Sequence, residues 1–205
     1  MGGSSSAETV VRQGTAADAP GAARLHIEGI TSGFLPTLGP AFLSRLYRFI
    51  AHNKGSFLLV VDGDGPGGLS AFLAGTEDTS RLYRRFCTTQ GPVAALAAGK
   101  ALVRGARQAM ETLVYPRAHG GTAVPLPPAE LLAMAVDPSS RGRGVGRALV
   151  GAFFQEMTNR GVPAAKVVAD SHNDAANRLY LACGFRPATT IEVHGGRRSN
   201  VLTWP

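Results

Sequence analysis

The residue pattern with the clearest chemical potential is a glycine-rich loop between an apolar strand and a helix. The strand ends at Val136, and the loop is the run Arg141-Gly142-Arg143-Gly144-Val145-Gly146-Arg147. Glycine lets backbone N–H groups turn toward a ligand, and the first turn of a helix has unpaired N–H donors and a partial positive charge. Three arginines add full charges nearby. The pattern therefore predicts a site for a diphosphate group.

Three kinds of phosphate site compete for this loop. A P-loop requires Gly-Lys-Ser/Thr after its spacer, and the loop has no such run. A dinucleotide fingerprint requires Gly-x-Gly-x-x-Gly, but the third position holds Arg147 or Leu149, depending on the starting glycine. The third possibility is a site for coenzyme A. Considered by itself, the loop could also be a turn at the end of a strand that binds no ligand.

A second motif follows the loop, and it is the run Asn173-x-x-Ala176-x-x-x-Tyr180-x-x-x-Gly184-Phe185. Together the two motifs resemble the Gcn-related N-acetyltransferase (GNAT) superfamily, whose acetyl-CoA loop reads Arg/Gln-x-x-Gly-x-Gly/Ala. Residues 1–80 match the superfamily only in the order of strands and helices. The resemblance implies an enzyme that moves an acetyl group directly from acetyl-CoA to a primary amine, on a small molecule, an amino sugar or a peptide, without a metal.

The resemblance also implies the fold, which is one α/β (α+β) domain over residues 9–205. A mixed, mainly antiparallel central sheet is flanked by helices. Strands Ala129–Val136 and Ala165–Ala169 are expected to splay apart, so that the pantetheine arm of the coenzyme adds to the first of them like a further strand. The residues assigned to the coenzyme by resemblance are Met134, Ala135, Val136, Arg141, Gly142, Arg143, Gly144, Val145, Gly146, Arg147, Asn173, Ala176 and Tyr180.

Two residues are candidates for proton transfer. Transfer from a thioester to an amine expels a thiolate, and the resemblance makes Tyr180 the general acid that protonates it. Glu130 is the candidate general base, because an amine must lose a proton before it attacks. Strand alternation predicts that Glu130 lies on the face of Leu132, Met134 and Val136. The alternatives are a tyrosine of the core and a solvent-facing glutamate at the start of a strand.

Other polar residues near the motifs have structural alternatives. Asn173 contacts the pantetheine arm or caps its helix, and Ser171 with Asp174 forms a competing pattern that resembles a capping box. The loop arginines could form a solvated surface. Cys183 lies in an apolar stripe and is expected to be buried and inert. Two cysteines provide neither a disulfide framework nor a structural zinc site.

The acceptor side is less clearly defined. Phe34, Leu35 and Leu38 lie between the first two predicted helices, where the superfamily has a wall of its acceptor site; ordinary helix packing is the alternative. The segment 78–117 is basic and is predicted to be helical, in two pieces broken at Gly91-Pro92. It could cover the acceptor pocket and meet an acidic group of the substrate. The alternative is a solvated helical face.

Composition limits the class of protein. The chain has 205 residues and 44% hydrophobic content, which suffices for one full-sized core. Its 21 Lys and Arg outnumber 14 Asp and Glu, mostly through segment 78–117. A nucleic-acid-binding module is the rival class, but few aromatic residues interleave with these charges. A coenzyme-binding regulator without activity is a third. Apolar runs are too short to span a membrane, so a cytoplasmic protein is expected.

Capping and periodicity predict the remaining elements. Residues 1–8 are expected to form a disordered tail. Thr15 caps a helix that runs to about Ile30, and Pro40 lies in the first turn of a second helix. Two strands, 56–62 and 69–75, form an antiparallel hairpin. The other predicted elements are a strand at 9–12, helices at 144–160 and 174–183, and a final strand pair around Gly195-Gly196. That final pair could join two subunits in a homodimer.

Overall fold

The computed structural model describes residues 9–30, 35–63, 68–98, 125–193 and 197–205. The predicted tail, Phe34 and the second part of the basic segment lie outside the described residues. The strands are β1 (Arg12–Gln13), β2 (Ser56–Asp62), β3 (Leu69–Thr76), β4 (Glu130–Val136), β5 (Ala165–Asp170), β6 (Arg186–Val193) and β7 (Arg197–Trp204). The helices are α1 (Ala19–Gly29), α2 (Gly39–His52), α3 (Thr79–Ala98), α4 (Val145–Asn159) and α5 (Asp174–Ala182).

The described strands form one seven-stranded sheet in the order β1-β2-β3-β4-β5-β7-β6. Neighbouring strands are antiparallel except β4 and β5, which run parallel. A parallel pair needs a crossover, and α4 provides it. The predicted mixed, mainly antiparallel sheet is confirmed.

Both faces of the sheet are covered by helices. In β2, alternate residues belong to different apolar clusters: Phe57 and Leu59 pack with α4, whereas Leu58 and Val60 pack with α1 and α2. One cluster therefore lies on the α4 face, which also carries α5, and the other lies on the α1–α2 face, which also carries the start of α3. Such double coverage explains why the central strands are almost continuously apolar.

Local signals set the start of the first two helices. Thr15 accepts a hydrogen bond from the Ala17 N–H at 3.2 Å, and its own N–H donates to Asp18 at 2.7 Å, a complete capping box. The capped turn is a short 3-10 turn that continues into α1. Pro40 lies in the first turn of α2, as predicted. Strand β1 begins at Arg12, three residues later than expected.

The predicted break at Gly91-Pro92 is wrong. Helix α3 runs without interruption from Thr79 to Ala98. Proline removes one intrahelical hydrogen bond, but contacts with a neighbouring element can outweigh that loss. The first half of α3 packs against α2 through Leu82 and Phe86. The ring of Phe86 meets that of Phe49 edge-on, with 5.4 Å between the ring centroids. Among the described residues, no helix is long and apolar enough to cross a membrane.

Candidate functional site

The two parallel strands separate soon after they begin. Strand β4 pairs with β5 at only two positions, Glu130 with Lys166 and Leu131 with Val167. Beyond them β5 continues its ladder with β7, while β4 continues with β3. From Leu132 to Val136, the edge of β4 that would face β5 therefore has no strand beside it among the described residues. The predicted splay is present, and it opens toward the carboxyl end of β4.

A bulge in β4 changes which side chains face which side of the sheet. Ala133 pairs with Ala74 and Leu131 pairs with Gly75, so Leu132 is an extra residue in β4. After the bulge, Met134 and Val136 pack with the α4 cluster. Leu132 and Ala133 both pack with the α1–α2 cluster.

The prediction for the face of Glu130 is therefore wrong in part. Simple alternation places Glu130 with Leu132, Met134 and Val136, but an extra residue shifts every later side chain to the other face. Glu130 shares a face with Leu132 only. Its neighbour Leu131 packs against α4, so Glu130 faces the opposite side, where α3 begins. The spacing alone gives the face that Glu130 shares with Leu132, but it does not reveal the bulge that follows.

The turn after β4 is held by its own polar groups. Asp137 accepts hydrogen bonds from the N–H and the hydroxyl of Ser139, at 3.0 and 2.6 Å. These bonds lower the pKa of the Asp137 carboxyl, the hydroxyl more than the N–H. Gly142 and Gly144 follow with φ of +74° and +83°. Side chains other than glycine rarely adopt this left-handed conformation, so these two glycines are needed for the path of the chain.

The first turn of α4 is open. Gly144 is its N-cap and provides no side-chain hydrogen bond to it. A Cβ added at Gly142 or Gly144 would meet no atom of the described residues within 4 Å, so neither glycine is required by a close neighbour among them. A Cβ at Gly146 would lie 3.0 Å from the Leu179 side chain, so Gly146 allows α5 to approach α4. The three glycines thus have two different roles.

The three loop arginines differ in their contacts. Arg141 donates from Nε to the Val136 carbonyl at 3.0 Å, which fixes its guanidinium at the end of β4. Arg143 and Arg147 are exposed and make no hydrogen bond or ion pair with the described residues. Arg147 lies near Cys183, since its charge acts on that thiol. Two full positive charges therefore remain available beside the open helix turn.

Tyr180 lies on the same face as α4. Its side chain is 6% exposed and meets Phe185 edge-on at 5.6 Å. Burial raises the pKa of the phenol well above its ordinary value. The hydroxyl therefore keeps its proton at neutral pH, as a proton donor must. Tyr180 is also part of the apolar core, as the structural alternative predicted; its role as the general acid stays a prediction.

Glu130 is buried, at 8% exposure, and has two polar partners. The Thr79 hydroxyl donates to Oε2 at 2.8 Å, and Lys166 Nζ lies 3.5 Å from the same oxygen. Tyr83 is a further neighbour: burial first, and the charge of Glu130 second, raise the pKa of its phenol. The solvent-facing alternative for Glu130 is therefore excluded. The sequence analysis missed Thr79, Lys166 and Tyr83; the one signal was a lysine inside an apolar strand.

Asn173 caps α5, as one alternative proposed. Its side-chain oxygen accepts from the Ala176 N–H at 3.1 Å. The competing Ser171–Asp174 pattern is wrong, because the helix begins at Asp174 and Asn173 occupies the cap. A residue that the sequence analysis missed, Asn177, donates to the Asp170 carbonyl at 2.9 Å and ties α5 to β5. Ala176 packs partly buried beside the α4 cluster.

The remaining candidates have modest roles. Leu38 is 4% exposed and belongs to the core, whereas Leu35 is half-buried beside α2. Cys87 and Cys183 are half-buried, and burial raises the pKa of both thiols, which disfavours their reactive thiolate forms. Within the described ranges, no group of three or more His, Cys, Asp or Glu side chains is arranged to hold a metal ion.

Comparison with known proteins gives two kinds of match. Residues 98–185 match the model of the acetyltransferase (GNAT) family. Among solved structures, a GCN5-related N-acetyltransferase from Kribbella flavida superposes with a TM-score of 0.61 and 19% identity, covering 96% of each chain. At this identity the superposition establishes the fold alone.

Curated relatives align over shorter regions. A mycothiol acetyltransferase from Thermobispora bispora is 38% identical over 74 residues, which are 36% of this chain and 24% of that protein. Another, from Nocardioides sp., is 30% identical over 119 residues, which are 56% of this chain and 40% of that protein. The matched region thus spans less than half the length of either relative.

Proposed function

Because residues 98–185 match the acetyltransferase (GNAT) family model and the chain has the fold of a GCN5-related N-acetyltransferase, we propose that it belongs to the GNAT superfamily and transfers an acetyl group directly from acetyl-CoA to a primary amine. The observation that carries this proposal is the continuity between two open features. The unpaired edge of β4, from Leu132 to Val136, leads directly into the turn that ends at the uncapped start of α4. An extended ligand with a diphosphate at one end matches this arrangement.

The residues present fit coenzyme A. Open backbone N–H groups at the first turn of α4 and the exposed Arg143 and Arg147 would hold the diphosphate. Backbone groups of Met134 and Ala135 on the free edge of β4 would bond the pantetheine arm. The Val136 carbonyl already accepts a hydrogen bond from Arg141. This carbonyl would therefore bond the pantetheine arm only after the Arg141 side chain moves, or Arg141 itself would make the contact. The coenzyme supplies an activated acyl group.

Acid and base lie on opposite faces of the sheet. Tyr180 is on the α4 face, beside the loop that would bind the donor. Glu130 is on the other face, beside α3. The gap between β4 and β5 joins the two faces, so the acyl donor and the amine can reach each other from opposite sides. Glu130 takes a proton from the ammonium group of the acceptor, and Tyr180 gives a proton to the departing thiolate.

The acceptor is a primary amine of unassigned type. Small amines, amino sugars and peptide amines form the panel of acceptors to test. The panel also includes the acceptor of a mycothiol acetyltransferase, because two relatives have that name. Transfer is direct, since burial disfavours the thiolates of both cysteines as acetyl carriers. An acetylated cysteine trapped in a single turnover would contradict this route.

Two measurements test the proposal. Calorimetric titration with acetyl-CoA should give a single binding event, which weakens when Arg143 and Arg147 are both replaced by Gln. Release of coenzyme A thiol is then followed across the amine panel. We expect one class of amine to accelerate release far above hydrolysis. Failure of acetyl-CoA to bind, or binding with no amine-dependent release, would contradict the enzyme; the second result would identify a coenzyme-binding regulator.

A further inference from the structure

A buried lysine lies directly across from the candidate base. Lys166 pairs in register with Glu130 at the point where β4 and β5 are still joined. It is 7% exposed, and its side chain is 9% exposed, in a strand whose neighbouring residues Ala165 and Val167 belong to the core. Lysine is rarely this buried without a charged partner. Nζ lies 3.5 Å from Glu130 Oε2, so the pair satisfies that requirement.

Stability alone is a weak reason for this ion pair. Two charges removed from water lose hydration free energy, and their attraction often only balances that loss. Apolar residues of similar volume would hold β4 and β5 together as well. A carboxylate that must stay ionised in a buried place, however, needs a permanent positive charge and a hydrogen-bond donor beside it.

The contacts of Glu130 are one-sided. Both Thr79 Oγ1 and Lys166 Nζ approach Oε2, and no described residue forms a hydrogen bond or ion pair with Oε1. The two partners are themselves fixed. Lys166 Nζ donates to the Pro127 carbonyl at 2.5 Å, and the Thr79 N–H donates to the Pro128 carbonyl at 3.0 Å. The segment that leads into β4 therefore orients both of the groups that hold Glu130.

We propose that Lys166 and Thr79 are positioning residues, which hold Oε2 of Glu130 so that Oε1 can take a proton from the amine of the acceptor. In the step they serve, one N–H bond of the acceptor ammonium breaks and an O–H bond forms on Oε1. The electron pair left on nitrogen forms a C–N bond with the thioester carbon, the C–S bond breaks, and the departing thiolate takes the proton of Tyr180. The inference rests on the proposed function and deepens it by naming what prepares the base.

The main test is Lys166→Met, which keeps length and apolar bulk but removes the charge. We expect kcat with saturating acetyl-CoA to fall at least about 10-fold at pH 7. The acid limb of the pH dependence of kcat/KM should move to higher pH, because a buried carboxylate without its cation takes up a proton more readily. Lys166→Arg should restore most of the activity. The exposed Lys54→Met is the matched control and should change neither.

Thr79→Val tests the second contact. It removes the hydroxyl with little change of shape, and the loss of one hydrogen bond to the carboxylate predicts a fall in kcat of about 3- to 10-fold. Thr158→Val is the control, since that hydroxyl bonds a helix carbonyl far along α4 at 2.9 Å. Thermal unfolding and calorimetric acetyl-CoA binding of each variant confirm that the fold and the donor site are intact.

A double variant separates positioning from folding. If Lys166 acts through Glu130, then Glu130→Gln with Lys166→Met should be no slower than Glu130→Gln alone. Additive losses in the double variant, or an unchanged pH profile in Lys166→Met, would overturn the inference while leaving the transferase in place. A wild-type chain that binds no acetyl-CoA would instead overturn the proposed function.

Discussion

Tyr180 contributes to both the core and the proposed chemistry. Its ring packs edge-on against Phe185, and its phenol is shielded from water. Desolvation disfavours the phenolate, so the pKa of Tyr180 is raised and the proton stays on oxygen until a stronger base arrives. A departing thiolate is such a base when it is generated in the same dry environment.

The first prediction concerns this hydroxyl. Tyr180→Phe should keep the edge-on contact, the fold and the affinity for acetyl-CoA, and should lower kcat by about 10- to 1000-fold, because the proton donor is lost. Steady-state kinetics and calorimetry on the same preparation check it. Tyr47→Phe is the matched control: Tyr47 is equally buried but lies on the other face, beside His26. An unchanged kcat in Tyr180→Phe would remove this residue from the mechanism.

At the scale of the element, the loop and the start of α4 work as one unit. Asp137 closes the turn after β4, two glycines in the left-handed region direct the chain, and Arg141 fastens the loop to the end of the strand. The backbone is shaped before any ligand arrives, which reduces the conformational entropy that binding must overcome. The glycines are required for their backbone angles rather than for lack of space.

The second prediction compares two glycines of α4, the N-cap Gly144 and Gly151 in the middle of the helix. Gly144→Ala adds a Cβ in open space but strains a residue with φ of +83°, at a cost of about 1–2 kcal/mol. We expect acetyl-CoA affinity to fall about 10-fold. Gly151→Ala lies within α4, also in open space, and should raise stability by up to about 1 kcal/mol without changing affinity.

Calorimetry and thermal unfolding of both variants check the glycine prediction. Equal affinity in Gly144→Ala and the wild type would mean that the left-handed turn is not part of the donor site. A loss of affinity in Gly151→Ala would point to a general effect of substitutions in this helix.

At the scale of the whole molecule, the α1–α2 face contains a buried polar pair. His26 is 2% exposed; its Nδ1 bonds the Tyr47 hydroxyl, and its ring lies over Phe72. Its Nε2 is buried without a partner among the described residues. Burial lowers the pKa of His26 to about 4, so the imidazole is neutral when the protein is folded at pH 7.

The third prediction is acid sensitivity that originates at His26. Between about pH 6.5 and pH 4, His26 is protonated in the unfolded chain but remains neutral in the folded chain. The free energy of unfolding should therefore fall by about 3 kcal/mol as the pH is lowered over this range. Denaturant titrations at pH 7 and pH 4.5 measure it. His26→Gln should be less sensitive to acid than the wild type.

His172→Gln is the control, because that histidine is 92% exposed at its side chain. Its acid sensitivity should equal that of the wild type. Equal slopes for His26→Gln and the wild type would place the acid-sensitive group elsewhere.

The sequence by itself determined the parts of this protein that depend on local interactions. The loop with its positive-φ glycines, the Thr15 capping box and the strand and helix bounds in the C-terminal half all depend on neighbours within a few residues. Short-range sterics and hydrogen bonds decide them, so their spacing is visible in the chain. The resemblance to the GNAT superfamily rests on the same local motifs.

Only the tertiary structure decided how Glu130 is placed. An extra residue in β4 depends on its register with β3, and no local signal marks it, so alternation gave the wrong face for Met134 and Val136. The partnership with Lys166 joins strands separated by a whole helix. Helix α3 likewise continues past Pro92 to Ala98, against the local preference of proline. Contacts between residues far apart in the chain decide the register of β4 and its pairing with β5, and no short stretch of sequence contains them.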